Sequence, residues 1–310
     1  MRENIPVIRL RNKHGVLRAR DGVVLCFFMR RSHPEVVGAV WRALQTYRQA
    51  IPPRSLNWYG SDEGDTLPLD DKGWEVIRKQ MLERSRAAAC NVDLEEDESG
   101  TGGYYFEYRG RTLDAEFFAH DEDATTGVLF TFPTEYLLEH GPAHLRALAL
   151  ELARELPFSF GYASLAFVCL SGRWYGARKE LLEPLTRFLG FDLYHLGNTS
   201  RVIGTRARGA YWLTFLGQPL LGQLGGMEGL RQKLPFEEVS LLPMEAERVL
   251  ITLSEWPEAI DTAKKREEQR LLPQYRALAH LLEPYLYEER DGFFSMDPEN
   301  MRRWLRRLCQ

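Results

Sequence analysis

The order of apolar and polar positions predicts strands alternating with helices. After a basic lead-in, VVLCFFM (Val23–Met29) is a short, continuously apolar run, which reads as a buried strand. Ser32-His33-Pro34-Glu35 is a capping-box pattern with proline in the first turn. The helix it opens places Val36, Val37, Val40, Trp41, Leu44 and Tyr47 on one face, and Pro52-Pro53 ends it. Leu56–Tyr59 reads as a short strand and residues 60–69 as a loop. A second helix is expected from Asp70 to about Arg86, with Trp74, Ile77 and Met81 inward. NVDLEEDESGTGG is poor in apolar residues and dense in charge, so it reads as a solvated loop. Tyr104–Tyr108 and Val128–Phe132 are predicted antiparallel strands with an acidic connection. Pro142 opens a helix carrying Leu145, Leu148, Ala149 and Leu152, and Tyr162–Leu170 is a strand.

The second half continues in the same style. Leu181, Leu182, Leu185 and Phe188 mark a helix, Ala210–Leu216 a strand, and residues 222–233 a Gly-rich helix or turn. Val239–Leu242 and Arg248–Leu253 read as strands. Pro273 starts a helix with Leu278, Leu281, Leu282 and Tyr285. Asp297 caps the last helix, whose stripe is Met301, Trp304, Leu305 and Leu308. Phe130-Thr131-Phe132 precedes Leu137-Leu138 and Leu156-Pro157-Phe158, much as Leu213-Thr214-Phe215 precedes Leu220-Leu221 and Leu234-Pro235-Phe236. This echo suggests two related strand–helix–strand halves, although leucine-rich helices match easily. The expected class is α+β, mostly antiparallel sheets with packed helices. It is expected to form a single compact domain over residues 1–310, with two lobes (about 1–171 and 172–310) as the variant.

Composition narrows the setting. A chain of 310 residues with 44% hydrophobic and 27% charged residues can build its own core. Cys26, Cys90, Cys169 and Cys309 are isolated, which is no disulfide framework. Cys26 and Cys169 are expected inside strands, and Cys90 and Cys309 near exposed helix ends. No secretory pattern opens the chain, and no apolar run is long enough to span a bilayer. The expectation is a reduced cytoplasmic protein without membrane contact.

Charge changes the picture more. The net charge of −4 gives no global basic field for nucleic acid. Yet residues 91–123 hold 11 acids and only Arg109 and Arg111 as bases, while residues 1–31 carry eight bases against two acids. Arg302, Arg303, Arg306 and Arg307 sit on the last helix.

Catalytic patterns are scarce. The chain has no phosphate-binding loop, nucleophile elbow or His-Glu-x-x-His. His140 and His144 are separated by Gly141-Pro142, which argues against a shared helical face. His33-Pro34-Glu35 is better read as part of the cap than as half of a deaminase signature. Asp62 or Asp65 with Asp70-Asp71-Lys72 has the carboxylate and lysine content of a metal-dependent nuclease. The simpler reading is an acidic first turn favoured by the helix dipole. Gly217, Gly222, Gly225, Gly226 and Gly229 lack the dinucleotide spacing and read as tight turns. No catalytic, cofactor-binding or metal-ligating residue is therefore assigned, and a binding protein is expected rather than an enzyme.

Three segments carry a resemblance. They are AYWLTFLGQPLLGQLGGMEGLRQKL (Ala210–Leu234), Thr131–Phe167, and LNWYGSDEGDTLPLDDKGW (Leu56–Trp74). Together they resemble the bacterial type VI secretion immunity family called type VI immunity for VRR-NUC, over roughly residues 20–310. The resemblance implies a cytoplasmic antitoxin that binds and occludes a cognate effector, a nuclease for the named branch. It implies no cofactor and no catalysis. A nuclease presents a basic groove to phosphates, so a blocker can offer carboxylates. The candidate partner-binding residues are Asp93, Glu95, Glu96, Asp97 and Glu98, then Asp114, Glu116, Asp121, Glu122 and Asp123. The competing readings are a degenerate nuclease around Asp62, Asp70 and Lys72, or a regulatory module using the basic last helix.

Overall fold

The computed structural model describes residues 5–83, 89–98, 101–169, 177–263, 272–289 and 297–309. The four longest apolar or alternating runs form the middle of its sheet. These are β2 (Leu17–Met29), β6 (Tyr105–Arg111), β7 (Thr126–Pro133) and β8 (Phe160–Val168). Toward one edge follow β5 (Ala89–Glu95), β3 (Trp58–Gly60) and β4 (Thr66–Pro68). Toward the other follow β9 (Leu213–Leu216), β11 (Arg248–Thr252) and β10 (Ser240–Met244), while β1 (Arg9–Arg11) pairs with β2. Among the described residues the result is one 11-stranded sheet whose strand pairs are antiparallel. With ten α-helices among the described residues, the α+β class is as expected.

The internal echo has a topological counterpart. From β7 the chain runs through α3 (Thr134–His140) and α4 (Pro142–Ala153) to β8, and β2 lies antiparallel between the two strands. From β9 it runs through α7 (Leu220–Gln223) and α8 (Gly226–Lys233) to β10, and β11 lies antiparallel between those. Each half is thus two parallel strands split by an antiparallel one. β8 pairs with β9, so the sheet continues from one half into the other.

Two differently built layers cover the sheet. On one face lies α1 (His33–Ala50), opened by the expected capping box. Its Tyr47 ring packs 5.2 Å from Phe130 and 5.1 Å from Phe132. Also on this side are α2 (Asp71–Leu82) and α4, and Glu155, just after α4, forms an ion pair with Arg42 of α1. On the other face lies α6 (Leu196–Val202), an element without a sequence forecast. It approaches so closely that a Cβ on Gly127 would meet Leu196 Cδ1 at 2.7 Å. The remaining helices are α5 (Arg178–Arg187), α9 (Pro273–Leu282) and α10 (Pro298–Leu305).

Several expectations shift. β2 begins at Leu17, so part of the basic lead-in is strand. Residues 60–69 contain β4 rather than only loop. Leu182 is 49% exposed, because α5 turns only Leu181 and Leu185 inward. The forecast ends at Arg86 and Leu170 lie outside the described residues. No helix among the described residues is long and apolar enough to cross a membrane.

Candidate partner-binding surface

The acidic stretch 91–98 is largely strand, which corrects its reading as a loop. Val92 and Leu94 are buried on one face of β5, and Asp93 and Glu95 lie on the other. The period of two holds, but the charged positions mask it when composition is averaged over a window. Asp93 is paired with Glu107 in the register, and Arg109 bridges the two carboxylates at 2.8 and 2.9 Å. The Tyr105 hydroxyl also donates to Asp93. Asp93 is therefore a member of an internal charge network, with Glu107 fully buried.

Glu96 is structural too. Its carboxylate accepts from the backbone N–H groups of Gly103 at 2.6 Å and Tyr104 at 3.1 Å, closing the β5–β6 connection. Glu95 is half-buried, and Asp97 and Glu98 are exposed.

The second acidic group follows the opposite end of β6. Asp114 Oδ1 accepts from the Ser32 hydroxyl at 3.2 Å, which couples the β6–β7 connection to the α1 cap. Asp123 is bonded to Arg206 at 2.7 Å, and Asp121 accepts from the backbone N–H of Asp123 at 3.0 Å. Glu116 and Glu122 are exposed. Between them stands Phe117, 84% exposed, its ring 4.8 Å from Phe118 in an edge-on contact. Phe118 in turn sits under the Arg111 guanidinium. Sequence reading passed over Phe117, since one phenylalanine among 16 carries no signal until its exposure is known.

The ten candidates thus do not form one patch. β6 spans seven residues, so Asp97 and Glu98 stand about 20 Å from the start of the second group.

The polar network continues across the same face of the sheet centre. The row Asp93, Glu107, Leu129, Cys26, Tyr162 shares one face by register. Tyr162 donates to Asp192 at 2.7 Å, and Asp192 pairs with Arg208, both fully buried. His195 caps α6 by accepting from the Asn198 N–H at 3.0 Å. Burial, reinforced by the Arg109, Arg201 and Arg208 charges and opposed by a backbone hydrogen bond, holds His195 down at about 4. Burial likewise lowers Arg111 to about 10, with Arg201 and Arg109 adding repulsion.

The other candidate chemistries resolve into structural roles. Asp70 lines an open groove of about 920 Å³, but its carboxylate accepts from the Gly73 N–H at 2.9 Å as the cap of α2. Asp62 accepts from Gln80 at 3.3 Å. Among the described residues, Asp62, Asp65 and Asp70 do not converge as a three-ligand cluster. His140 and His144 lie in separate helices, as the Gly141-Pro142 break demands. Their rings still meet at 4.9 Å, each nitrogen-bonded to Tyr136 at 3.0 Å. His33 is buried against the Tyr108 hydroxyl at 2.9 Å. Gly229 packs so tightly that a Cβ would meet the Leu224 carbonyl at 2.4 Å, a structural use of the Gly-rich segment. Cys90 is buried rather than exposed, and Cys309 is half-buried.

The fold defines the class as α+β, one antiparallel sheet covered by helices. The chain belongs to the family described as type VI immunity for VRR-NUC, whose model matches residues 39–308. It is thus a type VI immunity protein. A similar solved structure is the Pseudomonas aeruginosa T6SS protein PA0821. It is 20% identical, with a TM-score of 0.79, covering 98% of this chain and 87% of that one, which speaks for the fold. No curated protein matches the sequence.

Proposed function

We propose that this immunity protein binds a cognate nuclease effector and occludes its substrate groove with the surface around Phe117. It acts as a cytoplasmic, non-catalytic blocker, with the whole chain working as one unit. The observation that carries the reading is the exposed Phe117 ring on the same β6–β7 connection as Asp114, Glu116, Asp121, Glu122 and Asp123. An exposed aromatic rimmed by charge has the composition of a binding anchor. The carboxylates match the basic potential that a nuclease must hold for phosphates. The family description names a nuclease class as the target of immunity.

Within the first group, Glu98 is exposed, whereas Asp93 and Glu96 serve the fold. The test is co-expression with the cognate effector, scored by survival, together with association kinetics of the purified pair. Reversing Asp114, Glu116 and Glu122 to lysine is expected to slow association at low salt, with the difference shrinking as salt screens it. Unchanged kinetics and full protection would remove this surface from the interface.

A further inference from the structure

His280 and Glu283 are three residues apart, so the end of α9 places both on one side. His280 Nδ1 lies 3.7 Å from a Glu283 carboxylate oxygen. The turn after α10 brings Cys309 to the same spot from a distant part of the chain. Its sulfur, the histidine nitrogen and the carboxylate oxygen all lie within 4.8 Å of one another. Among the described residues, this is the cluster of three potential ligands that the fold assembles.

We propose that His280, Glu283 and Cys309 form a binding site for a zinc-class divalent cation. One nitrogen, one oxygen and one sulfur donor suit a borderline-soft ion that accepts tetrahedral coordination, with water as the fourth ligand. Hard ions such as Mg²⁺ demand oxygen ligands and are disfavoured by the thiol. His280 and Glu283 are both partly exposed, and Glu283 also pairs with Arg306 at 3.7 Å, a contact that the ion would replace. Coordination replaces the S–H bond with a metal–sulfur bond and releases one proton to solvent. The ion would clip the C-terminal turn to α9. This site is remote in sequence from the acidic surface and does not depend on the effector reading.

The test uses the full chain and zinc itself. Cys26, Cys90 and Cys169 are buried, so a thiol-alkylating reagent reports mainly on Cys309. Zinc is expected to slow alkylation at least about tenfold, and Co²⁺ to give a thiolate-to-metal charge-transfer band. Loss of one ligand should weaken binding by no less than the roughly 10–100-fold that loss of an outer-shell partner costs. Both signals should therefore fade in His280→Ala and in the more conservative Glu283→Gln. Equilibrium dialysis should find zinc retained by the wild type and not by Cys309→Ser. Alkylation indifferent to zinc, or equal protection in the His280→Ala and Glu283→Gln variants, overturns the site. Circular dichroism establishes that each variant is folded.

Discussion

The guanidinium of Arg109 lies 2.9 Å from the carboxylate of Glu107, a residue with no exposure to solvent. That pair, with Asp93, sits on the face of the sheet next to α6. Removing one partner leaves the other charge buried without its counter-ion, which typically costs about 3–5 kcal/mol. Arg109→Ala is therefore expected to be strongly destabilising in urea unfolding. Arg109→Ala combined with Glu107→Leu and Asp93→Ala is expected to recover part of the loss. A single variant as stable as wild type would show that the network contributes little.

Phe117 and its acidic rim should affect binding in different ways. Phe117→Ala removes an anchor and is expected to cost about 2 kcal/mol of effector affinity, chiefly as faster dissociation. Glu116→Lys with Glu122→Lys should act mainly on the association rate and its salt dependence. Folding stability should change little in either case, since Phe117, Glu116 and Glu122 are exposed. Surface plasmon resonance at two salt concentrations separates the two effects.

His195 carries a pH prediction. Its folded value of about 4 lies below the usual 6.5, so the folded state binds fewer protons than the unfolded state between those limits. Stability from this group is complete above about pH 6.5 and is lost as pH falls toward 4, by up to about 3 kcal/mol. His195→Asn retains a capping side chain without the titration. The stability difference between wild type and variant should shift across this window. A difference constant from pH 7 to pH 4 would contradict the assignment.

Asp70 separates the cap from a nuclease role. Asp70→Ala should lower stability by about 1 kcal/mol through loss of the α2 cap, and Asp70→Asn should restore most of it. Protection against the effector should survive both, as measured by growth in co-expression. Loss of protection in Asp70→Asn at full stability would bring the groove around Asp70 into the functional surface.

The apolar stripes of α1, α4 and α10 and the cores of β2, β7 and β8 were legible because helix and strand periods are local properties. The Ser32 capping box, the Asp297 cap and the Gly141-Pro142 break were legible for the same reason. β5 was not, because Asn91, Asp93 and Glu95 alternate with its three buried residues, Cys90, Val92 and Leu94, and charge dominates the window. Helix α6 was missed because LGNTSRV has neither length nor a clear stripe. It is held by the close approach at Gly127 and by the Arg111 bonds to Ser200 and Gly197.

The local order of apolar, capping and breaking residues was enough to determine an α+β chain, and the charge count was enough to locate an acid-rich segment. Only the tertiary structure decided what each acid does. Strand register turned Asp93 inward to Arg109, a connection claimed Glu96, and the length of β6 separated Asp97 and Glu98 from the group around Phe117. Charge along a sequence adds without regard to direction, whereas in the folded protein burial and distance set which charges pair internally and which face a partner.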